Sequence, residues 1–356
     1  MTCWTRVMSA LLPQRMWQDT DMKSVVCFGE ALIDFQPVGN ADSLQPRTFQ
    51  QHAGGAPANV AVAVAALGGS SEFVGMLGAD MFGDFLLDSL RRARVSCKYI
   101  QRTSAAPTAL AFVAHDEHGE RSFSFYRAPA ADLLFRENKL SASAFEDASI
   151  FHACSNSLTE EGIAQSTLAC LRRARDAGVL VSFDMNLRPA LWPQGVDAAP
   201  RIWAAIALAD VVKLSVEELT FLANDIGGES AAFEEIWKHH AAIVIVTDAE
   251  RPLRWHSRHA NGSIASFVVS TIDSTAAGDA FTGGLLYSLA RLGIDKVSLP
   301  ALLVDTTQFE IVLRFAAACG ALAVTRRGAF AAMPSHAEVD DLIRRSSAAS
   351  LKVASS

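Results

Sequence analysis

At residues 272–286, a loop of small residues is followed by an acid, a combination that can bind an anion and accept a proton. It reads IDSTAAGDAFTGGLL and leads into a predicted helix. Ala276, Ala277 and Gly278 leave their backbone N–H groups accessible, and a helix N-terminus carries roughly half a positive charge. We therefore predict an anion hole at residues 276–278.

Asp279 directly follows this predicted anion hole and is the candidate general base. Phosphoryl transfer needs positioned groups and stabilisation of the charge on the phosphoryl oxygens, and a neighbouring carboxylate can accept the proton of an attacking hydroxyl. Short motifs also match by chance. The alternative interpretation is that Asp279 only complements the helix dipole and that Gly278 only permits a tight turn.

Short apolar runs alternate with helical stretches in the part of the sequence that surrounds this loop. The runs SVVCF, SIFHAC, VLVSFD, DVVKLS and AAIVIVT predict buried strands, and the helical stretches between most of them favour an α/β fold with a mainly parallel sheet. Residues 53–69 predict a glycine turn, a buried helix and a glycine stop. Ligands of such sheets bind beyond the carboxyl ends of the strands. Polar residues that follow strands are therefore expected on one rim: Asp34, Asp184, Asn186 and Ser215.

Two segments depart from this alternation and predict a small, separate β-sheet. Residues 108–127 contain ALAFVAH, the turn DEHGE and RSFSFYR, a pattern typical of a hairpin with one apolar face. Together with the polar residues 36–52, this hairpin would form a lid. The predicted organisation is an N-terminal extension (1–23), a main α/β domain (24–35, 53–97 and 128–345), a β-lid (36–52 and 98–127) and a flexible tail (346–356).

Composition excludes several classes of protein. The formal charge of -7 argues against a general polyanion binder, so we expect no nucleic-acid partner. No apolar run reaches the 18 residues of a membrane-spanning helix, so no membrane partner is expected. The cysteines are far apart, which favours a reducing, cytoplasmic location over a zinc or disulfide framework: Cys3, Cys27, Cys97, Cys154, Cys170 and Cys319.

Two signatures in the chain resemble those of the ribokinase-like (phosphofructokinase-B type) carbohydrate kinases. They are GGAPANVAVAVAALGG at residues 54–69 and DSTAAGDAFTGG at residues 273–284, in the order usual for that family. The segments VVCFGEALIDF, GERSFSFYR, FDMNLRPALW and KLSVEEL are similar to the bacterial fructokinase branch. The resemblance extends from about residue 25 to 334 and implies a three-layer α/β/α fold with a small, discontinuous β-sheet lid.

The resemblance also implies roles for individual residues. The sugar-binding set comprises residues matching family positions that hold sugar hydroxyls or face the transferring phosphate: Asp34, Gly54, Gly55, Asn59, Arg127, Arg188 and Asp279. From the residues alone, Asn59 could instead cap a helix, Asp34 could form a turn, and the arginines could make surface salt bridges. The set implied to bind ATP is Asn186, Ser215, Thr247, Gly278 and Ala317.

Two cation sites follow from the same resemblance. Glu218 lies three residues after Ser215, at a family position that organises Mg²⁺ largely through water, and Mg²⁺ commonly keeps several waters. Asp273 and Thr275, with the backbone carbonyls of Ala323, Arg326 and Gly328, match a monovalent-cation site that would bind K⁺. Asp273 could also serve only to order its loop.

The nucleotide side contains departures from the family pattern. A glycine-containing turn usually follows the strand AAIVIVT, but this chain reads TDAERP. Ala249 and Pro252 would resist the backbone angles of glycine, so we expect a shorter or displaced turn and weaker nucleotide binding. Ala317 stands where relatives often have an asparagine near the adenine.

The expected activity is ATP-dependent phosphorylation of fructose to fructose 6-phosphate, with Asp279 as the base and the lid excluding water. A kinase for 2-keto-3-deoxygluconate or another ketose is an alternative, which a carboxylate contact from Arg127 or Arg188 would favour. A noncatalytic sugar-binding regulator is a second alternative, suggested by the TDAERP turn. A homodimer through the lid is a further expectation.

Overall fold

The computed structural model of the 356-residue chain describes residues 22–38, 48–115 and 121–354. Most of the predicted N-terminal extension, residues 39–47 of the predicted lid and the DEHGE turn at 116–120 therefore lie outside the described residues. The strands are β1 (Ser24–Phe28), β2 (Leu32–Val38), β3 (Thr48–Gly54), β4 (Ser71–Gly78), β5 (Ser96–Thr103), β6 (Leu110–His115), β7 (Arg121–Tyr126), β8 (Ala148–Cys154), β9 (Leu180–Asp184), β10 (Val211–Ser215), β11 (Ile243–Asp248), β12 (Arg251–Ser257) and β13 (Asn261–Ile264).

Helices follow most of the strands, as the sequence pattern predicts. They are α1 (Ala56–Ala66), α2 (Met81–Arg92), α3 (Ser143–Glu146), α4 (Glu161–Asp176), α5 (Ala199–Ile206), α6 (Val216–Asn224), α7 (Glu229–Trp237), α8 (Ala277–Arg291), α9 (Leu299–Val304), α10 (Thr306–Ala323) and α11 (His336–Ala354). In the part of the chain that the structure describes, no helix combines the length and apolar character needed to cross a bilayer.

The main sheet has nine strands in the order β13-β12-β11-β10-β9-β8-β1-β4-β5. Its strands pair in parallel except where β12 meets β11 and β13. In β1, Val25 and Cys27 pack into one hydrophobic cluster, and Val26 and Phe28 pack into another. Both faces of the sheet are therefore buried, which explains why its strands read as continuous apolar runs. The predicted α/β class with a mainly parallel sheet is confirmed.

The lid is a four-stranded sheet in the order β3-β2-β6-β7. Its inner face contributes Leu32, Ala111 and Phe125 to a small cluster. Two predicted boundaries are wrong. The lid begins at Leu32, because β2 pairs with β3 and β6, and β5 belongs to the main sheet because it pairs in parallel with β4. The predicted tail begins within α11, which continues to Ala354.

Close packing of α1 against α8 positions the candidate site. Gly283, in the middle of α8, lies so close to α1 that a Cβ at this position would be 2.3 Å from the Cβ of Ala63. Real side chains do not approach so closely, so only glycine permits this helix separation. The contact holds the N-terminal turns of both helices at the same edge of the main sheet.

The altered turn after β11 is a tight two-residue connection. Asp248 pairs with Arg251, and between them Ala249 adopts a φ of 43°, in the left-handed region. Pro252 lies within β12 and not in the turn. The expectation that Ala249 would avoid a glycine-like conformation is therefore wrong, because the antiparallel pairing of β11 with β12 imposes it.

We expect Ala249→Gly to raise the free energy of unfolding by about 0.5–1 kcal/mol. The left-handed conformation costs a non-glycine residue about 1–2 kcal/mol, and the greater freedom of glycine in the unfolded chain offsets about 0.4–1 kcal/mol of that gain. Urea unfolding would measure the change. Ala142→Gly is a matched control, because Ala142 is exposed with an ordinary φ of -59° and should lose stability. A loss at position 249 equal to that of the control would contradict the prediction.

Candidate active site

The site lies in a cavity between the rim of the main sheet, the N-terminal ends of α1 and α8, and the inner face of the lid. The polar side chains lining it are Glu30, Asp34, Asn59, Asn156, Asn186 and Arg188. Asp279 and Thr275 enter from the α8 side, and Leu32, Phe125 and Leu191 supply apolar surface. Polar groups on several sides with some apolar surface suit a small polyhydroxylated ligand.

Asp279 is buried in the first turn of α8 and accepts two side-chain hydrogen bonds. Asn59 Nδ2 donates to one carboxylate oxygen at 2.7 Å, and Asn186 Nδ2 donates to the other at 3.2 Å. Burial raises the pKa of Asp279 to about 7, although the bond from Asn59 opposes this shift. A carboxyl with a pKa near neutrality, fixed by two amides, is suited to accept a proton from a hydroxyl.

The backbone amides around Asp279 differ in part from the predicted anion hole. Ala276 is the N-cap residue of α8, and the Ala277 N–H donates to the carbonyl of Ser274 at 3.3 Å. Gly278 and Asp279 lie in the first helical turn, whose N–H groups have no acceptor within a helix. The amides of Gly278 and Asp279 are therefore better placed to bind an anion than that of Ala277.

Lys213 is a functional candidate that the sequence analysis missed. Its ammonium lies 3.1 Å from the carboxylate of Asp184, and a Cβ added to Gly278 would lie 3.1 Å from the same nitrogen. Burial lowers the pKa of Lys213, but the carboxylates of Asp184 and Glu218 outweigh burial and raise it. A buried positive charge thus lies against the N-terminal turn of α8. The sequence feature that could have indicated Lys213 is its position as the one charged residue of the apolar strand VVKLS.

We expect Lys213→Met to lower kcat about 10–100-fold, because a fixed charge beside developing negative charge stabilises a transition state. Steady-state kinetics would measure this. Breaking a buried ion pair also destabilises a fold, so the double variant Lys213→Met with Asp184→Asn, which removes both charges, is the control. A folded double variant with the kcat of the unmodified protein would show that Lys213 only balances Asp184.

Asp34 and Gly55 line the wall of the cavity nearest the lid. Asp34 lies on β2, and burial raises its pKa to about 7, with repulsion from Asp279 adding to the effect. Gly55 has a φ of 106°, and a Cβ there would lie 2.6 Å from the carbonyl oxygen of Glu30. A side chain at position 55 would therefore be strained and would clash with the backbone. Gly54 lies directly against the carboxylate of Asp34.

The two predicted arginines lie in different environments. Arg188 is exposed and lines the cavity. Arg127 is buried, and its Nη2 and Nε donate to one oxygen of Asp132 at 2.6 and 2.8 Å. Arg127 therefore forms an internal ion pair with Asp132. Asp132, five residues along the chain, is the partner that the sequence analysis missed.

Ser215 and Glu218 form a capping box at the start of α6. Glu218 accepts from the Ser215 N–H at 2.7 Å, and the Ser215 hydroxyl accepts from the Glu218 N–H at 3.2 Å. The other Glu218 oxygen accepts from the Leu187 N–H at 2.7 Å. Burial raises the pKa of Glu218, and nearby Lys213 opposes the shift. Because each oxygen already accepts an amide hydrogen, contact with a metal ion through water fits this carboxylate.

Asp273 joins the two loops of the predicted monovalent-cation site. One of its oxygens accepts from the Thr275 N–H at 2.9 Å, and the other accepts from the Gly328 N–H at 3.1 Å. The carbonyl of Ala323 accepts from the Arg326 N–H at 3.2 Å. The Asp273 carboxylate therefore connects Thr275 in one loop with Gly328 in the other.

The remaining residues predicted to bind nucleotide lie apart from the cavity lining. Thr247 is near the end of β11, and its hydroxyl donates to the Leu214 carbonyl at 3.3 Å. Ala317 lies on α10, half-buried against the core. Asn186, predicted with this set, instead contacts Asp279 and lines the cavity.

Comparison with known proteins identifies the family. Residues 22–336 match the pfkB family of carbohydrate kinases. The chain belongs to this family. It is 42% identical over 322 residues to probable fructokinase-7 of Arabidopsis thaliana, covering 90% of this chain and 92% of that protein. This carbohydrate kinase is therefore a phosphotransferase.

Solved structures support the same assignment. Fructokinase from Xylella fastidiosa, with bound ATP, is 54% identical with a TM-score of 0.88, covering 92% of this chain and 99% of that one. A double mutant of fructokinase from Vibrio cholerae O395, in its fructose, ADP and potassium ion bound form, is 33% identical with a TM-score of 0.79. The match covers 90% of this chain and 98% of that one. The ribokinase-like fold predicted for the kinase is thereby confirmed.

Proposed function

We propose that this carbohydrate kinase transfers the γ-phosphoryl group of ATP to a hydroxyl of fructose and forms fructose 6-phosphate. The observation that carries the proposal is the buried Asp279 carboxylate, which Asn59 and Asn186 fix inside a polar cavity beside the N-terminal turn of α8. The similarity to fructokinases of known structure supports fructose as the acceptor.

Each group of the site has a defined task in this proposal. Asp34, Gly55 and Asn59 bind sugar hydroxyls, and Asp279 accepts the proton of the attacking hydroxyl. A bond forms between the sugar oxygen and the γ-phosphorus while the bond to the bridging oxygen of ADP breaks. The amides of the first turn of α8, with Lys213 beside them, stabilise the charge on the phosphoryl oxygens. Lid closure excludes water that would otherwise hydrolyse ATP.

Two cations belong to the proposal. Mg²⁺ would bind mainly to the phosphate oxygens of ATP and to water held by Glu218, and it would neutralise phosphate charge. The described residues contain no group of three or more metal-ligating side chains, so phosphates and water would supply most of its ligands. K⁺ would bind at the loop of Asp273 and Thr275, with the carbonyls of Ala323, Arg326 and Gly328, and would stiffen the adjoining anion hole.

One observation favours the alternative that the substrate is a sugar acid such as 2-keto-3-deoxygluconate. Arg188 is exposed, lines the cavity, and could bind a carboxylate. The noncatalytic alternative lacks comparable support, since the base and both of its amide donors are in place.

Coupled ATP turnover with fructose, other ketoses and 2-keto-3-deoxygluconate, with and without K⁺, tests the proposal. We expect fructose to give the highest kcat/KM and K⁺ to increase it. A higher kcat/KM for the sugar acid than for fructose, lost selectively in Arg188→Ala, would show that the sugar acid and not fructose is the substrate. Failure of the folded protein to phosphorylate any of these sugars would overturn the proposed function.

A cytoplasmic location and a homodimer through the lid complete the proposal. The proposed reaction consumes ATP, which is present in the cytoplasm, and this supports a cytoplasmic location. The lid exposes Tyr126 and Val38, which are 65% and 54% accessible, and such apolar surface suits a second copy of the lid. Light scattering at assay concentration would test the dimer, and a monomer would contradict it.

A further inference from the structure

The cavity contains a second amide–carboxylate pair, which resembles the pair of Asn59 with Asp279 but includes no residue of the family signatures. Glu30 follows β1, and Asn156 lies in the short turn after β8. Asn156 Nδ2 donates to Glu30 Oε1 at 2.9 Å, and both side chains are buried and line the cavity. The same Glu30 oxygen accepts from the Ala56 N–H at 3.2 Å. The pair is therefore tied to the start of α1, the helix that carries Asn59.

The hydrogen bond to Glu30 fixes which way the Asn156 amide points. Reversing the amide would place its oxygen against a carboxylate oxygen, so the donor must face Glu30. The Asn156 Oδ1 atom is then left as a buried acceptor with no hydrogen-bond partner in the described part of the chain. Such an acceptor is costly unless a donor reaches it. In a sugar cavity, the donor with suitable chemistry is a ligand hydroxyl.

A buried ion pair at the end of a lid strand acts electrostatically on Glu30. Arg127, which follows β7, is held by Asp132 and attracts the Glu30 carboxylate. Burial raises the pKa of Glu30 despite this attraction. Glu30 orients the amide of Asn156. The carboxylate of Glu30 is itself attracted by Arg127, at the end of a lid strand.

We propose that Asn156, oriented by Glu30, is a specificity-determining residue that accepts a hydrogen bond from a sugar hydroxyl other than the one phosphorylated. The inference rests on the proposed function, because it assigns a residue to the acceptor sugar of that reaction. Asp279 has its own amide partners, so the hydroxyl it activates does not need Asn156. Sugars that lack the hydroxyl facing Asn156 leave the acceptor unpaired and are rejected.

The test compares Asn156→Ala with the unmodified enzyme on fructose and on a series of fructose analogues, each lacking one hydroxyl that is not phosphorylated. For fructose we expect Asn156→Ala to raise KM about 10–100-fold, with little change in the KM for ATP. For the analogue that lacks the hydroxyl facing Asn156, the unmodified enzyme and Asn156→Ala should give the same kcat/KM within about threefold. The hydrogen bond to Asn156 is already absent with that analogue. Glu30→Gln can still accept from Asn156 Nδ2 and should keep most of the discrimination.

Each outcome has a separate meaning. An equal loss for fructose and every analogue would show that Asn156 is only structural and would overturn the inference. If the alanine variant does not fold, Asn156→Ser, with a small polar side chain, takes its place in the same comparison. Unchanged discrimination between fructose and the analogues by Asn156→Ser would likewise overturn the inference. If the unmodified enzyme turns over no sugar, the proposed function fails first and this inference fails with it.

Discussion

Asp279→Asn is expected to reduce kcat at least about 1,000-fold while the protein remains folded and still binds sugar. The substitution keeps the size of the side chain and one hydrogen-bond acceptor but removes the group that can take up a proton. General-base catalysis contributes about 100–10,000-fold. The variant also loses a negative charge close to Lys213. Coupled turnover with fructose would measure the loss, and calorimetry would measure sugar binding.

The structure explains why this variant should retain its fold. Asp279 is held by amide groups of Asn59 and Asn186 and by no salt bridge among the described residues. The carbonyl oxygen of an asparagine at position 279 could accept from one of them, although its own amide group would face the other. Asp225→Asn, at an exposed helix end, is a matched control that should keep full activity. If Asp279→Asn retains a tenth or more of kcat, Asp279 is not the base.

The activity should fall steeply with pH below about 7. Burial raises the pKa of both Asp279 and Asp34 to about 7, and each acts in its ionised form, one as base and one as acceptor of sugar hydroxyls. Ionised carboxylate is lost as pH falls through the raised pKa, so kcat/KM for the sugar should drop about tenfold per pH unit if one group is required and about a hundredfold if both are. Asp34→Asn should return the slope to about tenfold.

Stability should change with pH in the opposite direction. In the unfolded chain these carboxyls have a pKa of about 4, so between about pH 4 and 7 the folded protein binds more protons than the unfolded chain. The free energy of unfolding therefore falls as pH rises through this window. Urea unfolding without ligands should show Asp279→Asn gaining stability relative to the unmodified protein at pH 8 and much less at pH 5. An equal difference at both values would mean that the pKa of Asp279 is not raised.

These two opposed trends have one physical cause. Holding a carboxylate in a buried site raises its pKa toward the pH at which the enzyme works, which suits a general base, but the ionised form is then poorly solvated. The bonds from Asn59 and Asn186 reduce that cost without removing it. The site therefore sacrifices some stability for catalysis, as enzyme active sites commonly do.

Features that depend on local pattern could be predicted from the amino-acid sequence alone. The apolar runs separated by helical stretches predicted the main sheet, and the small-residue loop before Asp279 predicted a helix N-terminus at residue 277 or close to it. The serine and phenylalanine alternation likewise predicted β7. In each case a few neighbouring residues carry the information, because strand and helix periodicity and capping act over one or two turns.

Contacts between side chains that are distant in sequence could be read only from the folded chain. Asn59 and Asn186 reach Asp279 across 220 and 93 residues of sequence, and no local pattern encodes such distances. The same limit hid Lys213 inside a strand and Asn156 in a turn. The sequence places residues 98–103 of β5 in the lid, because a strand's sequence does not specify the sheet it joins. Its parallel pairing with β4 puts it in the main sheet. Arg127, predicted to contact the substrate, is bound to Asp132 because burying its charge required a partner within reach.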